Sequence, residues 1–273
     1  MSGHTPDHDR GLAFDLATLN RRRVLALFGG AGLATLVGCA SGSTGQATSL
    51  AAGATTTTTT TTTTSAAACA TEIPEETAGP YPGDGSNGPN VLTESGIVRG
   101  DIRSSFGSSS GTAQGVPLTV TLTVQKDCAA YAGAAVYLWH CDRDGNYSMY
   151  SRGVTDQNYL RGVQEADGSG KVTFTSIFPA AYDGRWPHIH FEVYPDLAEA
   201  TTAGEPVKTT QLAFPKDVCE TVYATDGYGA SVRNLASTSL ESDMVFRDGH
   251  DTQLATVTGD VATGYTATLV VGV

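Results

Sequence analysis

The sequence predicts an all-β domain, a sandwich or barrel of antiparallel strands, on three observations. Residues 117–124 read PLTVTLTV. A strand sends successive side chains to opposite faces, so this alternation marks a half-buried strand. Asp-Gly pairs at 144–145, 167–168, 183–184, 226–227 and 248–249 punctuate the stretches that follow and signal tight turns. The 32 glycines among 273 residues, with few helix-forming runs, tip the balance further from helix toward strand and turn. Hydrophobic residues at 40% against 16% charged supply a core and exclude a disordered chain. A formal net charge of -12, without clustered Lys and Arg, argues against nucleic-acid binding, which needs cations for the phosphates.

Taken in chain order, Arg21, Arg22 and Arg23 precede an apolar run from Val24 to Val37. The run is short for a membrane span and has the layout of a twin-arginine signal peptide. Leu36-Val37-Gly38-Cys39 has the form of a lipobox, in which Cys39 is lipidated and holds the mature protein at a membrane surface. Residues 1–39 are thus expected to be a lipoprotein signal. Residues 40–70, with an unbroken threonine run from Thr55 to Thr64, read as a flexible tether, and residues 71–273 as the folded domain. Further strands are expected at Ala134–Trp139, Lys171–Phe174, Ile189–Tyr194, Lys208–Phe214 and Thr266–Val271, with short helices near Leu197–Thr202 and Ala230–Leu235. Cys69, Cys128, Cys141 and Cys219 make an even set in an exported domain. One or two disulfides are expected, with the pairing open.

The chemistry concentrates in Tyr182-Asp183-Gly184-Arg185-Trp186-Pro187-His188-Ile189-His190-Phe191. On a strand, His188 and His190 project from one face while Ile189 and Phe191 enter the opposite layer. Tyr182 lies across an Asp-Gly turn from the histidines, and Tyr147 follows another strand and turn. Two phenolates and two neutral imidazoles form a hard, anionic donor set suited to iron(III). With 11 tyrosines in the chain, core packing competes with this reading. Asp142-x-Asp144-Gly145 resembles the opening of a calcium loop, but Gly153 stands where the bidentate glutamate belongs, so a turn explains it better. His140 and His250 read as structural and loop residues.

Taken together, the motifs resemble those of the intradiol ring-cleavage dioxygenases, the family of the catechol and protocatechuate dioxygenases. The resemblance runs from about Glu75 to Phe214. It rests on Gly79-Pro80-Tyr81, the Trp139 strand leading to Gly145-Asn146-Tyr147, and Phe178-Pro179-Ala180-Ala181-Tyr182, then on Arg185, His188-Ile189-His190-Phe191 and Thr210-Gln211-Leu212. It implies an antiparallel β-sandwich of the intradiol core type with long loops. It also implies a non-haem iron(III) held by Tyr147, Tyr182, His188 and His190. Tyr182 would be the phenolate that leaves the metal and takes a substrate proton. Arg185 and Gln211 would act on substrate charge, and Tyr81 would help line the pocket. The implied reaction opens a catechol-type ring between its hydroxylated carbons with O2, giving a muconate-type diacid. The expected partners are an aromatic diol, O2 and a membrane surface, with room for a homo-oligomer. The export signal and the tether depart from the familiar cytoplasmic members. A second reading is a tethered surface-binding module without catalytic metal, its tyrosines serving as stacking platforms.

Overall fold

A computed structural model describes residues 69–273. The expected signal, Cys39 and all of the tether except Cys69 and Ala70 lie outside the described residues. The first described residues are already fastened to the domain. Cys69 is disulfide-bonded to Cys128, and the Ala70 amide donates to Gln125 Oε1 at 3.0 Å.

Among the described residues, nine strands form two sheets. They are β1 (Pro117–Lys126), β2 (Ala129–Ala130), β3 (Ala135–Trp139), β4 (Arg161–Glu165), β5 (Lys171–Ile177), β6 (His188–Tyr194), β7 (Lys208–Ala213), β8 (Thr256–Asp260) and β9 (Gly264–Gly272). Three short helices accompany them: α1 (Leu197–Thr201), α2 (Lys216–Tyr223) and α3 (Gly229–Ala236). In the first sheet β1 is central, with β9 and then β8 along one edge and β5 and β2 sharing the other. The second sheet runs β4-β3-β6-β7, antiparallel throughout. The sandwich is therefore as expected, with one difference: β1 and β9 pair in parallel, from Leu118↔Tyr265 to Gln125↔Gly272. A parallel pair needs a long crossover, and the intervening chain, which contains the whole second sheet, provides it.

The alternation of β1 does what it predicts. Leu118, Val120, Leu122 and Val124 are buried between the sheets, and the intervening threonines are partly exposed. Facing them from the second sheet are Val136 and Leu138 of β3, Ile189, Phe191 and Val193 of β6, and Leu212 of β7. Each fully buried side chain of this kind contributes roughly 1.5–3 kcal/mol. The second sheet is buried on both sides. Every residue of β6 is buried, because residues 78–106, the β3–β4 loop and α1 cover its outer face. That covered outer face is where polar residues gather.

Of the four domain cysteines, one pair is bridged, and Cys141 and Cys219 are free and buried. The possibility of a second disulfide is thereby closed. The two thiols sit in separate apolar clusters, Cys219 between the sheets and Cys141 under the outer layer.

Candidate active site

Strand register assembles the site. His190 on β6 lies opposite Trp139 on β3 and Gln211 on β7, and Trp139 lies opposite Arg161 on β4. Residues directly opposite share a face, so Arg161, Trp139, His190 and Gln211 form one row across four strands. His188 is two residues along β6 on the same face, while Ile189 and Phe191 enter the intersheet core as the alternation requires.

The two imidazoles converge, with His188 Nε2 and His190 Nε2 3.1 Å apart. The Nδ1 of His188 lies 2.5 Å from the Trp186 carbonyl. A carbonyl only accepts, so Nδ1 carries the proton and the Nε2 lone pair faces the site. The Tyr182 hydroxyl accordingly donates to His188 Nε2 at 3.2 Å. The His190 ring is clamped. Trp139 stacks on it with ring centroids 5.0 Å apart and planes 7° from parallel. Gly79, at φ +70, lies so close that a Cβ there would stand 3.1 Å from His190 Cε1.

The tyrosines arrive on loops. The Asp142 carboxylate folds the turn after β3 by accepting the Asp144 and Asn146 amides. The Tyr147 amide then donates to Ser151 Oγ. This brings the Tyr147 ring edge-on to Tyr182, at 5.9 Å, and to His190, at 6.2 Å. Its hydroxyl is buried beside that of Tyr182 without a well-formed hydrogen bond. The Tyr182 segment is held by α3, where Ser231 Oγ accepts the Ala181 amide and the Asn234 amide donates to the Ala181 carbonyl. Tyr81 packs against Tyr147 at 4.9 Å.

Burial and neighbouring groups set the electrostatics. Burial, then the nearby Tyr182, pushes the Tyr147 phenol well above its ordinary range. Burial, reinforced by Arg185, holds His188 well below the usual imidazole range, and burial with His188 does the same to His190. Burial thus favours a neutral Tyr147 phenol beside neutral imidazoles. The His188 Nε2 lone pair, the adjacent His190 Nε2 and two phenol oxygens, that of Tyr147 without a well-formed bond, fit a metal cation that would stabilise the phenolates. Among the described residues no three His, Cys, Asp or Glu side chains cluster as a metal site, so the phenols are essential to any such centre.

Arg185 and Gln211, both fully buried, complete the wall. Arg185 Nη2 donates to Gln211 Oε1 at 2.7 Å, and Gln211 Nε2 donates to the Thr77 carbonyl at 2.9 Å. The structure thus brings together Tyr81, Tyr147, Tyr182, Arg185, His188, His190 and Gln211. His140 stands apart, bonded to the Cys141 carbonyl and Ser176 Oγ, both at 2.7 Å. His250 is likewise local, 3.3 Å from the Phe246 carbonyl. With Tyr147 1% and Tyr182 7% exposed, neither phenol is a surface stacking platform.

Sequence reasoning missed two residues. The guanidinium of Arg161 donates to the carbonyls of Tyr81, Pro82 and Ser148 and to the hydroxyls of Ser148 and Tyr137. It ties the Gly79–Pro82 segment to the loop carrying Tyr147. Asp243 Oδ2 accepts from Arg185 Nε at 2.9 Å and from the Trp186 amide at 2.7 Å. Neither stands in a motif, so only the fold reveals them.

The family described as Dioxygenase matches residues 87–241, more than half of the chain. The chain belongs to the intradiol ring-cleavage dioxygenases. A chlorocatechol 1,2-dioxygenase of Rhodococcus opacus is 41% identical over 51 residues, a match spanning 19% of this chain and 20% of that protein. An intradiol ring-cleavage dioxygenase from Tetranychus urticae has a similar fold, with TM-score 0.59 and 24% identity, over 74% of this chain and 94% of its own. Family membership and the buried tyrosines together set aside the binding-module reading.

Proposed function

We propose that this protein opens the ring of a catechol-type aromatic between its two hydroxyl-bearing carbons, using iron(III) held by Tyr147, Tyr182, His188 and His190. The observation that carries the reading is the convergence of two phenol hydroxyls and two imidazole Nε2 atoms at one buried point. Iron(III) bound there would draw electron density from the chelated diol and make its ring susceptible to O2. The protein's own part is orientation, proton transfer and exclusion of water. Tyr182, more exposed than Tyr147, meets the incoming diol, and as a phenolate its Oη takes a proton from one substrate hydroxyl. Arg185 and Gln211 present donors to the charge that develops on the substrate. Tyr81, packed on Tyr147, bounds the pocket on the side of the Gly79–Pro82 segment.

The test is a visible spectrum of the iron-loaded full chain with and without catechol. A broad tyrosinate-to-iron(III) band that shifts with catechol supports the reading, and its loss in Tyr147→Phe and His190→Ala assigns the ligands. A protein that stays colourless under iron loading sinks it.

We also propose export with lipidation at Cys39, supported by Arg21–Arg23, the apolar run to Val37 and the lipobox form. The Cys69–Cys128 disulfide suits an oxidising compartment. Metabolic labelling with a fatty acid, lost in Cys39→Ala, checks this. A surface enzyme would meet substituted or polymer-derived catechols, and turnover confined to small free catechols would count against that substrate class.

A further inference from the structure

Arg185 is not a free cation in the pocket wall. Its Nε donates to Asp243 Oδ2 at 2.9 Å, and both side chains are 0% exposed. Asp243 is itself immobilised. Its Oδ2 also accepts the Trp186 amide at 2.7 Å, and its Oδ1 accepts the amides of Val245 at 2.8 Å and Phe246 at 3.4 Å. The carboxylate thus grips Arg185 both directly and through the peptide that follows it. On the other side, Arg185 Nη2 reaches Gln211, the register neighbour of His190. A line of hydrogen bonds runs from the C-terminal segment through Asp243, Arg185 and Gln211 to the Thr77 carbonyl, crossing the wall of the proposed substrate pocket. Asp243 also lies just beyond residues 87–241, which the family match covers.

A buried guanidinium with its own carboxylate is a net-neutral, oriented dipole. It can donate hydrogen bonds to a diol, yet it offers no uncompensated positive charge to an anionic substituent on the ring. We propose that Asp243 is the residue that positions Arg185 and cancels its charge, so that the pocket selects catechols with uncharged rings over carboxylate-bearing ones. This rests on the ring-opening function proposed above. Arg161, the other buried guanidinium on this face, is two strands from His190 and is unchanged in the comparisons below, so it drops out of them.

The experiment is a spectral titration of the iron-loaded full chain with catechol and with 3,4-dihydroxybenzoate, giving the ratio of the two Kd values. The wild type is expected to favour catechol. Asp243→Asn should keep the substrate-free band, because the ligands are untouched, and move the ratio at least tenfold toward the carboxylate-bearing diol. Arg185→Gln, which strands the Asp243 charge, should move it in the opposite direction. The double variant removes both charges, leaves no buried ion unpaired should either single variant fail to fold, and should return the ratio to within about threefold of wild type. A purely structural role would alter both affinities together and leave the ratio alone, and that result overturns the proposal. A wild type that binds neither diol overturns the ring-opening reading and this one with it. A responsive wild type whose ratio is unmoved by the substitutions overturns this one alone.

Discussion

Gly79 and His140 show two ways in which single residues matter, one at the site and one through stability. Gly79 sits at φ +70 against the His190 ring. An alanine there adds about 1–2 kcal/mol of backbone strain and a methyl group 3.1 Å from Cε1. Gly79→Ala is expected to lower iron occupancy and weaken the charge-transfer band, as read by metal analysis alongside the spectrum; equal occupancy would show that the clamp is not needed. His140 is held neutral by burial, its pKa down to about 4 from an ordinary 6.5. The unfolded chain therefore binds a proton between these values that the folded chain refuses. Stability is intact above about pH 6.5 and declines as the pH falls toward about 4, by at most roughly 3 kcal/mol from this residue. Urea unfolding at pH 7 and pH 4.5 should show a shallower loss in His140→Gln than in wild type, and identical losses would count against the assignment.

At the scale of elements, α3 matters to the site through two bonds to one residue. Ser231 and Asn234 hold Ala181, the neighbour of Tyr182. Ser231→Ala together with Asn234→Ala should leave iron bound while ring opening slows on the order of ten- to a hundredfold, since small displacements of a reacting group are costly. Stoichiometric iron with an unchanged rate would show that Tyr182 is positioned without the helix. Which elements are legible in the sequence follows from how locally each is specified. β1 and β6 declare themselves by alternation and by the His-x-His spacing, and α1 and α3 fall where short helices were expected. β4 does not, because its Arg161 reads as surface charge until five acceptors are found for it inside the protein. β8 is almost wholly exposed and has no buried face to betray it, and α2 was missed beside the strand it follows. The candidate site residues stand out in the sequence because they cluster in motifs, whereas Asp243 is one acid among 28 Asp and Glu residues. The pairing of β1 with β9 and of Cys69 with Cys128 are long-range facts that no local pattern encodes.

For the whole molecule, the disulfide closes a loop of sequence separation 59. Chain-entropy arguments put its contribution at about 4 kcal/mol. Replacing both Cys69 and Cys128 with serine should lower Tm by roughly 10 °C and leave the iron band in place, because neither cysteine is among the proposed donors. A variant as stable as wild type would mean that the contacts of residues 69–73 hold that end unaided. The two sheets also divide the labour. One buries β1 and its alternating partners to make the core, and the other carries the polar row on the face that the N-terminal segment and the β3–β4 loop cover.

The parallel pairing of β1 with β9 also has a consequence for biosynthesis. The central strand of the first sheet is translated early in the domain, yet one of its edges waits for the residues of β9. Until those residues leave the ribosome the edge is open, and the domain cannot close as it is made. A truncated product lacking β9 would present an unpaired central strand, the kind of surface that proteases and chaperones engage. Native structure in this domain therefore requires that translation has passed β9.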